Sequence, residues 1–142
     1  SLVPIPRFHI PGVIVGEGIA PKQDRRIVSQ IDMAPTLLSL MGISADYPML
    51  GKDLTRMPPD WPGRAIMQYD KNFALMRGKN VVILQPERPA EGFVYDDASE
   101  TLTPAPQPDA MKDAALGLVL WGNLAYQQGL YQTAPDDRFA LN

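Results

Sequence analysis

The sequence contains one histidine, His9, and no cysteine, so the side chains that most often bind metals or exchange protons near neutral pH are almost absent. A tetrahedral zinc site of His and Cys ligands cannot be built from such a composition. The 16 acidic residues form no cluster at the spacing that Mg²⁺ or Mn²⁺ would need. His9, in RFHIP, has no nearby carboxylate to orient its ring, which favours a packed or partly exposed strand residue over a catalytic one. Arg7 offers a bidentate fork to an anionic head group, or simply ends a strand in water. These two residues are the candidates for contact with a substrate. Asp32 resembles a general acid only out of context, because the short apolar helix after it makes it an N-cap. Asp70, Asp96 and Asp97 lack the one-three-five spacing and the closing Glu of a calcium loop. Trp61, Tyr69, Phe73, Phe93 and Tyr95 suit a sugar-stacking face, but their alternating strand positions favour the core. Lys22, Arg25 and Arg26 are the one tight cation cluster, and they read as a solvated loop end.

The most informative element around these residues is SQIDMAPTLLSLMG, Ser29 to Gly42. A strand-like RRIVSQI leads to Asp32, whose carboxylate is expected to accept from the unpaired amides of the first helical turn. Pro35 falls in that turn, where a missing N–H costs little, and Gly42 can end the helix in the left-handed conformation. Ala34, Leu37, Leu38 and Met41 share one face at the spacing of a buried stripe. On this reading Asp32→Ala costs about 1 kcal/mol and Leu38→Ala about 2–5 kcal/mol.

Proline marks the other segments. Pro4 and Pro6 keep the start extended, and Pro11 heads the strand GVIVG. MPPDWPG, Met57 to Gly63, is a boundary. The runs after it, RAIMQYD, NFALMRG, NVVILQ and GFVYDD, have strand composition and are separated by turn residues, as in an antiparallel meander. PAPQPD is an extended connector. Asp109 caps a helix to about Tyr126 that buries Met111, Ala114, Ala115, Leu118 and Trp121. TAPDDRFALN reads as a polar tail that lacks order.

With 142 residues and 45% hydrophobic content, the chain can bury a core of about one domain. A net charge of −3 argues against binding nucleic acid. Without cysteine there is no disulfide staple, and no apolar stretch approaches the ~20 residues of a membrane span.

FHIPGVIVGEG (Phe8 to Gly18), SQIDMAPTLLSLMG and YPMLGKDL (Tyr47 to Leu54) together resemble the C-terminal part of the sulfatase-like branch of the alkaline phosphatase superfamily. Lipoteichoic acid synthase and the phosphoglycerol transferases of membrane-derived glucans are the members nearest in pattern. There a hydrophobic-Pro-hydrophobic strand precedes S-x-x-D-hydrophobic-A/P-P-T-L-L-x-L-x-G and then G-x-D/S-L. GRAIMQYDKNFALMRGKNVVILQPE (Gly63 to Glu87) and AALGLVLWGNLAY (Ala114 to Tyr126) resemble the same group.

The resemblance implies an α+β fold: a strand–helix unit of a large α/β sheet, then a small antiparallel sheet covered by a C-terminal helix. Residues 1–57 would be the edge of the catalytic domain, 63–131 the sheet-plus-helix subdomain, and 132–142 a tail. The family's metal-bound nucleophile and its Asp, Glu and His ligands precede the hydrophobic-Pro strand. The chain is therefore expected to be a C-terminal fragment with no catalytic residue, metal ligand or cofactor of its own. The resemblance gives the longer protein a divalent metal (Mn, Mg, Zn or Ca) and a covalent intermediate on its nucleophile. Its expected activity is phosphoglycerol-type transfer to or from membrane lipid or glycan head groups. Sulfuric ester hydrolysis, or a non-catalytic structural or interaction role for this piece, are the alternatives. The implied location is the periplasmic or extracytoplasmic side of a bacterial inner membrane, with the anchor upstream. The implied partner is the upstream catalytic part of the same polypeptide. Self-association through Val13 to Val15 and the Leu37/Leu38/Met41 face is expected where the sheet edge is uncovered.

Overall fold

The computed structural model describes residues 2–44, 48–131 and the backbone of 140–141. Its centre is a five-stranded antiparallel meander. After the short strand β1 (Ile43–Ser44) come β2 (Ala65–Tyr69), β3 (Asn72–Arg77), β4 (Asn80–Leu84), β5 (Glu91–Asp96) and β6 (Thr101–Pro104), adjacent in chain order. Two-residue turns set the register of the first two hairpins, pairing Tyr69 with Asn72 and Arg77 with Asn80. Asp70 opens the first turn at φ 52°, a left-handed conformation that Asp tolerates better than most residues.

Alternation in the strands sends side chains to two faces, and both faces are covered. Met67, Ala74, Met76, Val81, Ile83, Phe93 and Tyr95 pack under the N-terminal segment, which contributes Val3 and Ile5 to the same core. That segment makes a 3₁₀ turn at Ile5–Phe8, and Asn72 Nδ2 ties it down by donating to the Leu2 carbonyl at 2.8 Å. On the other face Leu75 and Val82 pack against Met111 and Ala115 of helix α2 (Asp109–Gln127). Burial on both sides explains why the central strand, NVVIL, is apolar without alternation. Gln107 locks the connector into α2, donating from Nε2 to the Phe93 carbonyl at 2.9 Å.

The α+β class, the antiparallel sheet and the covering helix agree with the sequence reading, and the structure changes several details. Strand β6 lies between GFVYDD and the connector PAPQPD, in residues to which the sequence reading gives no element, and takes in the connector's first residue; its Pro104 is tolerated because β6 is an edge strand. The α2 N-cap is Pro108, not Asp109, which is the first helical residue and pairs with Lys112 at 2.9 Å. Gly12 to Gly16 carry no regular structure, and Val13 and Val15 are 84% and 90% exposed. A strand needs a neighbour to receive its backbone hydrogen bonds, and among the described residues none lies beside this one. Among the described residues RRIVSQI contributes one parallel bridge, Ile27 to Gly63. The expected tail lies outside the described residues except for Ala140–Leu141, strand β7, which pairs with β1.

Helix α1 (Met33–Leu40) follows a 3₁₀ turn at Gln30–Asp32 and stops before Gly42, at φ 71°. Its buried residues are Pro35 and Thr36. The expected stripe is inverted: Ala34, Leu37 and Met41 are exposed and Leu38 is half-buried. The polar Thr36 wins the inward position because it is hydrogen-bonded there, as described next.

Candidate functional site

The densest polar constellation is built around Asp32, which is 0% exposed. Its carboxylate does not cap α1: Asp32 itself has helical φ and ψ, and no side-chain cap bond forms. Oδ2 instead accepts from the Ser29 backbone N–H at 2.9 Å, reaching backward, while Oδ1 accepts from the Lys52 N–H at 2.7 Å. Arg64 Nη1 donates to both oxygens, at 3.1 and 3.3 Å. Arg64 Nη2 donates to the Leu50 carbonyl at 2.8 Å.

Two hydroxyls extend the network. Ser29 Oγ donates to the Arg64 carbonyl at 3.0 Å and accepts from the Ile66 N–H at 2.9 Å, stitching the turn to the start of β2. Thr36 Oγ1 donates to the Asp32 carbonyl at 2.6 Å and accepts from the Leu54 N–H at 3.0 Å. The Asp, Pro and Thr of IDMAPT and the Gly, Lys and Leu of GKDL thus form one latch. Gly51 is required where the two segments touch: a Cβ there would overlap the Ile31 carbonyl and crowd Pro35. Beside it Asp53 accepts from the Thr55 N–H at 2.9 Å and pairs with Arg56 at 3.3 Å.

Chemically, this arrangement is closed. Both Asp32 oxygens are occupied, and among the described residues no buried side-chain polar atom lacks a partner. Asp32 cannot accept a metal or move a proton without breaking the latch, so its role is structural, as its sequence context implied, by a different set of bonds. Ser29 lies three residues before Asp32, the spacing of a reciprocal turn cap, and that signal was legible. Arg64 sits 32 residues away, and nothing local announces it.

The other candidates are dispersed. Arg7 and His9 are both exposed on the N-terminal segment. Asp70 lies in the β2–β3 turn and Asp96 and Asp97 lie at the β5–β6 turn, opposite ends of a meander. Asp96 instead caps its own turn, accepting from the Ala98 N–H and Ser99 Oγ. Among the described residues no group of three or more His, Cys, Asp or Glu could hold a metal ion. Phe93 and Tyr95 are core residues, whereas Tyr69 is exposed and Trp61 and Phe73 are half-buried.

The cation cluster also divides. Lys22 and Arg25 face solvent, but Arg26 turns inward, pairing with Asp24 at 2.5 Å and donating to the Leu54 carbonyl at 3.1 Å. The Arg26 hydrogen bond holds the Asp24 carboxyl down, from 3.8 to about 2. A depressed carboxyl stabilises the fold fully above its unfolded value and loses that contribution as pH falls through the folded one. Asp24→Asn is therefore expected to be less stable than the parent chain above pH 3.8, with the gap closing toward about pH 2. Because the pair is partly solvated, the gap is no more than about 1 kcal/mol. Urea titrations at a series of pH values measure it, and a gap that persisted below pH 2 would dissociate it from this ion pair.

No family model matches the chain. The architecture, an antiparallel meander between an N-terminal latch and a C-terminal helix, is nonetheless shared with a known structure. Over 94% of its length the chain is similar to a protein in the alkaline phosphatase superfamily from Vibrio parahaemolyticus, with 42% sequence identity and a TM-score of 0.88. The chain is related to that superfamily, and it spans 33% of the length of the solved protein. Among the described residues no helix is long and apolar enough to cross a membrane.

Proposed function

We propose that this chain is the C-terminal part of a metal-dependent phosphoglycerol-type transferase acting on membrane lipid or glycan head groups. The observation that carries the reading is the latch. Within the pattern that resembles that branch, S-x-x-D…P-T…G-x-D-L, the Asp32 and Thr36 side chains accept from the Ser29, Lys52 and Leu54 amides, and Arg64, outside the pattern, closes the latch. A superfamily protein 42% identical to the chain adds support. In this reading the chain braces the catalytic part and supplies neither nucleophile nor metal ligand. The residues described do not fit a divalent metal, since the one fully buried carboxylate is already spent on Arg64 and two amides. The metal, whether Mn, Mg, Zn or Ca, would belong to the upstream part.

That upstream part is the proposed partner. Ile31, Leu37, Leu40 and Met41 present an exposed apolar face on and beside α1, and Val13 and Val15 an exposed apolar strip; together they suit the edge and face of a larger sheet. Arg7 and His9, exposed on the same N-terminal segment, are proposed as rim residues toward an anionic head group. The proposed location is the periplasmic side of the inner membrane.

The test has two arms. The purified chain is expected to turn over neither chromogenic phosphodiesters nor sulfate esters with Mn²⁺, Mg²⁺ or Zn²⁺; turnover lost on mutating a residue within it would overturn the supporting role. A longer protein containing this sequence is expected to release diacylglycerol from a glycerol-phosphate lipid. Release of sulfate from a sulfate ester instead would make it a sulfatase.

A further inference from the structure

We propose that the sheet face beneath Val3 and Ile5 is a docking groove for a short apolar segment. This chain's own residues 2–8 occupy it in cis, and cutting the peptide bond after Lys22 vacates it. This inference does not rest on the function proposed above.

The groove has a shape and an occupant. Across the strands Met67 pairs with Ala74 and Ala74 with Ile83. Directly paired residues share a face, so this row dips at its centre, where the small Ala74 stands between two larger side chains. Val3 and Ile5 cover the face and are 1% and 8% exposed, with Leu2 and Phe8 packed at its margin. Asn72 Nδ2 fixes the backbone by donating to the Leu2 carbonyl. Two apolar anchors set two residues apart and interleaved with Pro4 and Pro6 suit a peptide ligand, because proline leaves the free segment few conformations to lose on docking.

The link to the rest of the chain is different in kind. From His9 to Arg25 every residue except Ile14 is exposed, and none packs on the cluster that holds Val3 and Ile5. Among the described residues the hydrogen bonds of this stretch reach no more than three positions along the chain, as from the Ile19 N–H to the Gly16 carbonyl. The chain is fixed again at Arg26, which donates to the Leu54 carbonyl at 3.1 Å. Of the five lysines, Lys22 alone lies in such a stretch. Lys52 is tied into the latch through its N–H, Lys71 and Lys79 occupy two-residue turns, and Lys112 is in α2. Exposed loops are where proteases nick folded chains. A lysine-specific protease therefore adds water first across the Lys22–Gln23 amide, leaving a carboxylate on Lys22 and an amine on Gln23.

The cut changes local concentration and leaves the contacts themselves intact. The 9–26 link keeps residues 2–8 near the groove at an effective concentration of roughly millimolar order. In a ~1 µM solution the cut lowers that about 10³-fold, and a segment anchored chiefly by Val3 and Ile5 departs.

Digestion of the purified chain with a lysine-specific endoprotease tests this. Mass spectrometry is expected to find the first cut after Lys22, and Lys22→Gln is expected to slow the loss of intact chain at least ~10-fold. Gel filtration at ~1 µM is expected to separate the 1–22 peptide from residues 23–142. The vacated face is expected to raise the fluorescence of anilinonaphthalene sulfonate, and a synthetic peptide SLVPIPRF at millimolar concentration to reverse that rise. The same peptide carrying Val3→Asp and Ile5→Asp is expected not to reverse it. Circular dichroism of the nicked chain is expected to keep its β-sheet signal. A first cut after any other lysine would overturn the proposal. So would a 1–22 peptide that stays bound at ~1 µM, an unchanged dye signal, one that the two peptides affect alike, or loss of the sheet on release.

Discussion

Asp32→Ala is expected to destabilise the chain by about 3–5 kcal/mol, the cost of breaking a buried ion pair from one side. An exposed N-cap would lose only about 1 kcal/mol. The difference comes from what is left behind. The Arg64 side chain is only 9% exposed, so the substitution strands a charge. It also removes the acceptor for the Ser29 and Lys52 amides, and each buried donor left unpaired costs about 1–3 kcal/mol. The double variant Asp32→Leu/Arg64→Met is expected to lose less than Asp32→Ala, because no charge stays behind. Such a loss is a large share of the ~5–15 kcal/mol that holds a domain folded, and it falls on one edge. Local release should therefore precede global unfolding. The Lys52 and Leu54 amides, which bond the Asp32 and Thr36 side chains, should exchange quickly while those of β3 and β4 stay protected. Urea titration and amide exchange check both. A loss near 1 kcal/mol, with a double variant no better than the single one, would mean that the latch does not hold this edge.

Leu75→Ala is expected to cost about 2–5 kcal/mol by leaving a cavity. Leu75 is fully buried, at the contact between β3 and α2, where it shares a small cluster with Val82, Met111 and Ala115. That cluster is smaller than the one on the opposite face of the sheet, so a cavity in it removes a larger share of what attaches the helix. Exchange protection along α2 should fall with the loss of stability, whereas Leu75→Met, which nearly conserves volume, should cost less than about 1.5 kcal/mol. Unchanged α2 protection in Leu75→Ala would show that the helix is held chiefly by other contacts. The sequence pointed to Leu38 for this test, but Leu38 is only half-buried and its removal leaves a smaller void.

Strands β2 to β5 and helix α2 were legible from sequence because their signals are local. Asp70-Lys71 and Gly78-Lys79 can only turn, NVVIL cannot stay in water, and Met111, Ala114, Ala115 and Leu118 recur at helical spacing. The identity of the latch segments was legible too, since Asp32, Pro35, Thr36 and Gly51 stand in a recognisable order. What those residues do was not. Whether a carboxylate caps its own helix or crosses to a guanidinium depends on which chain segment arrives beside it, and Arg64 comes from 32 positions away. The same dependence inverted α1: amphipathic spacing names an apolar stripe, but only the packing partner decides which side turns inward. Here GKDL offered amides and took Thr36, leaving Leu37 and Met41 outside. Gly12 to Gly16 have the composition of a strand, but strand composition is a preference for pairing, not a pairing. By itself the sequence determined the segments and their intrinsic preferences. Only the tertiary structure decided their partners, because hydrogen bonds and burial are settled between segments.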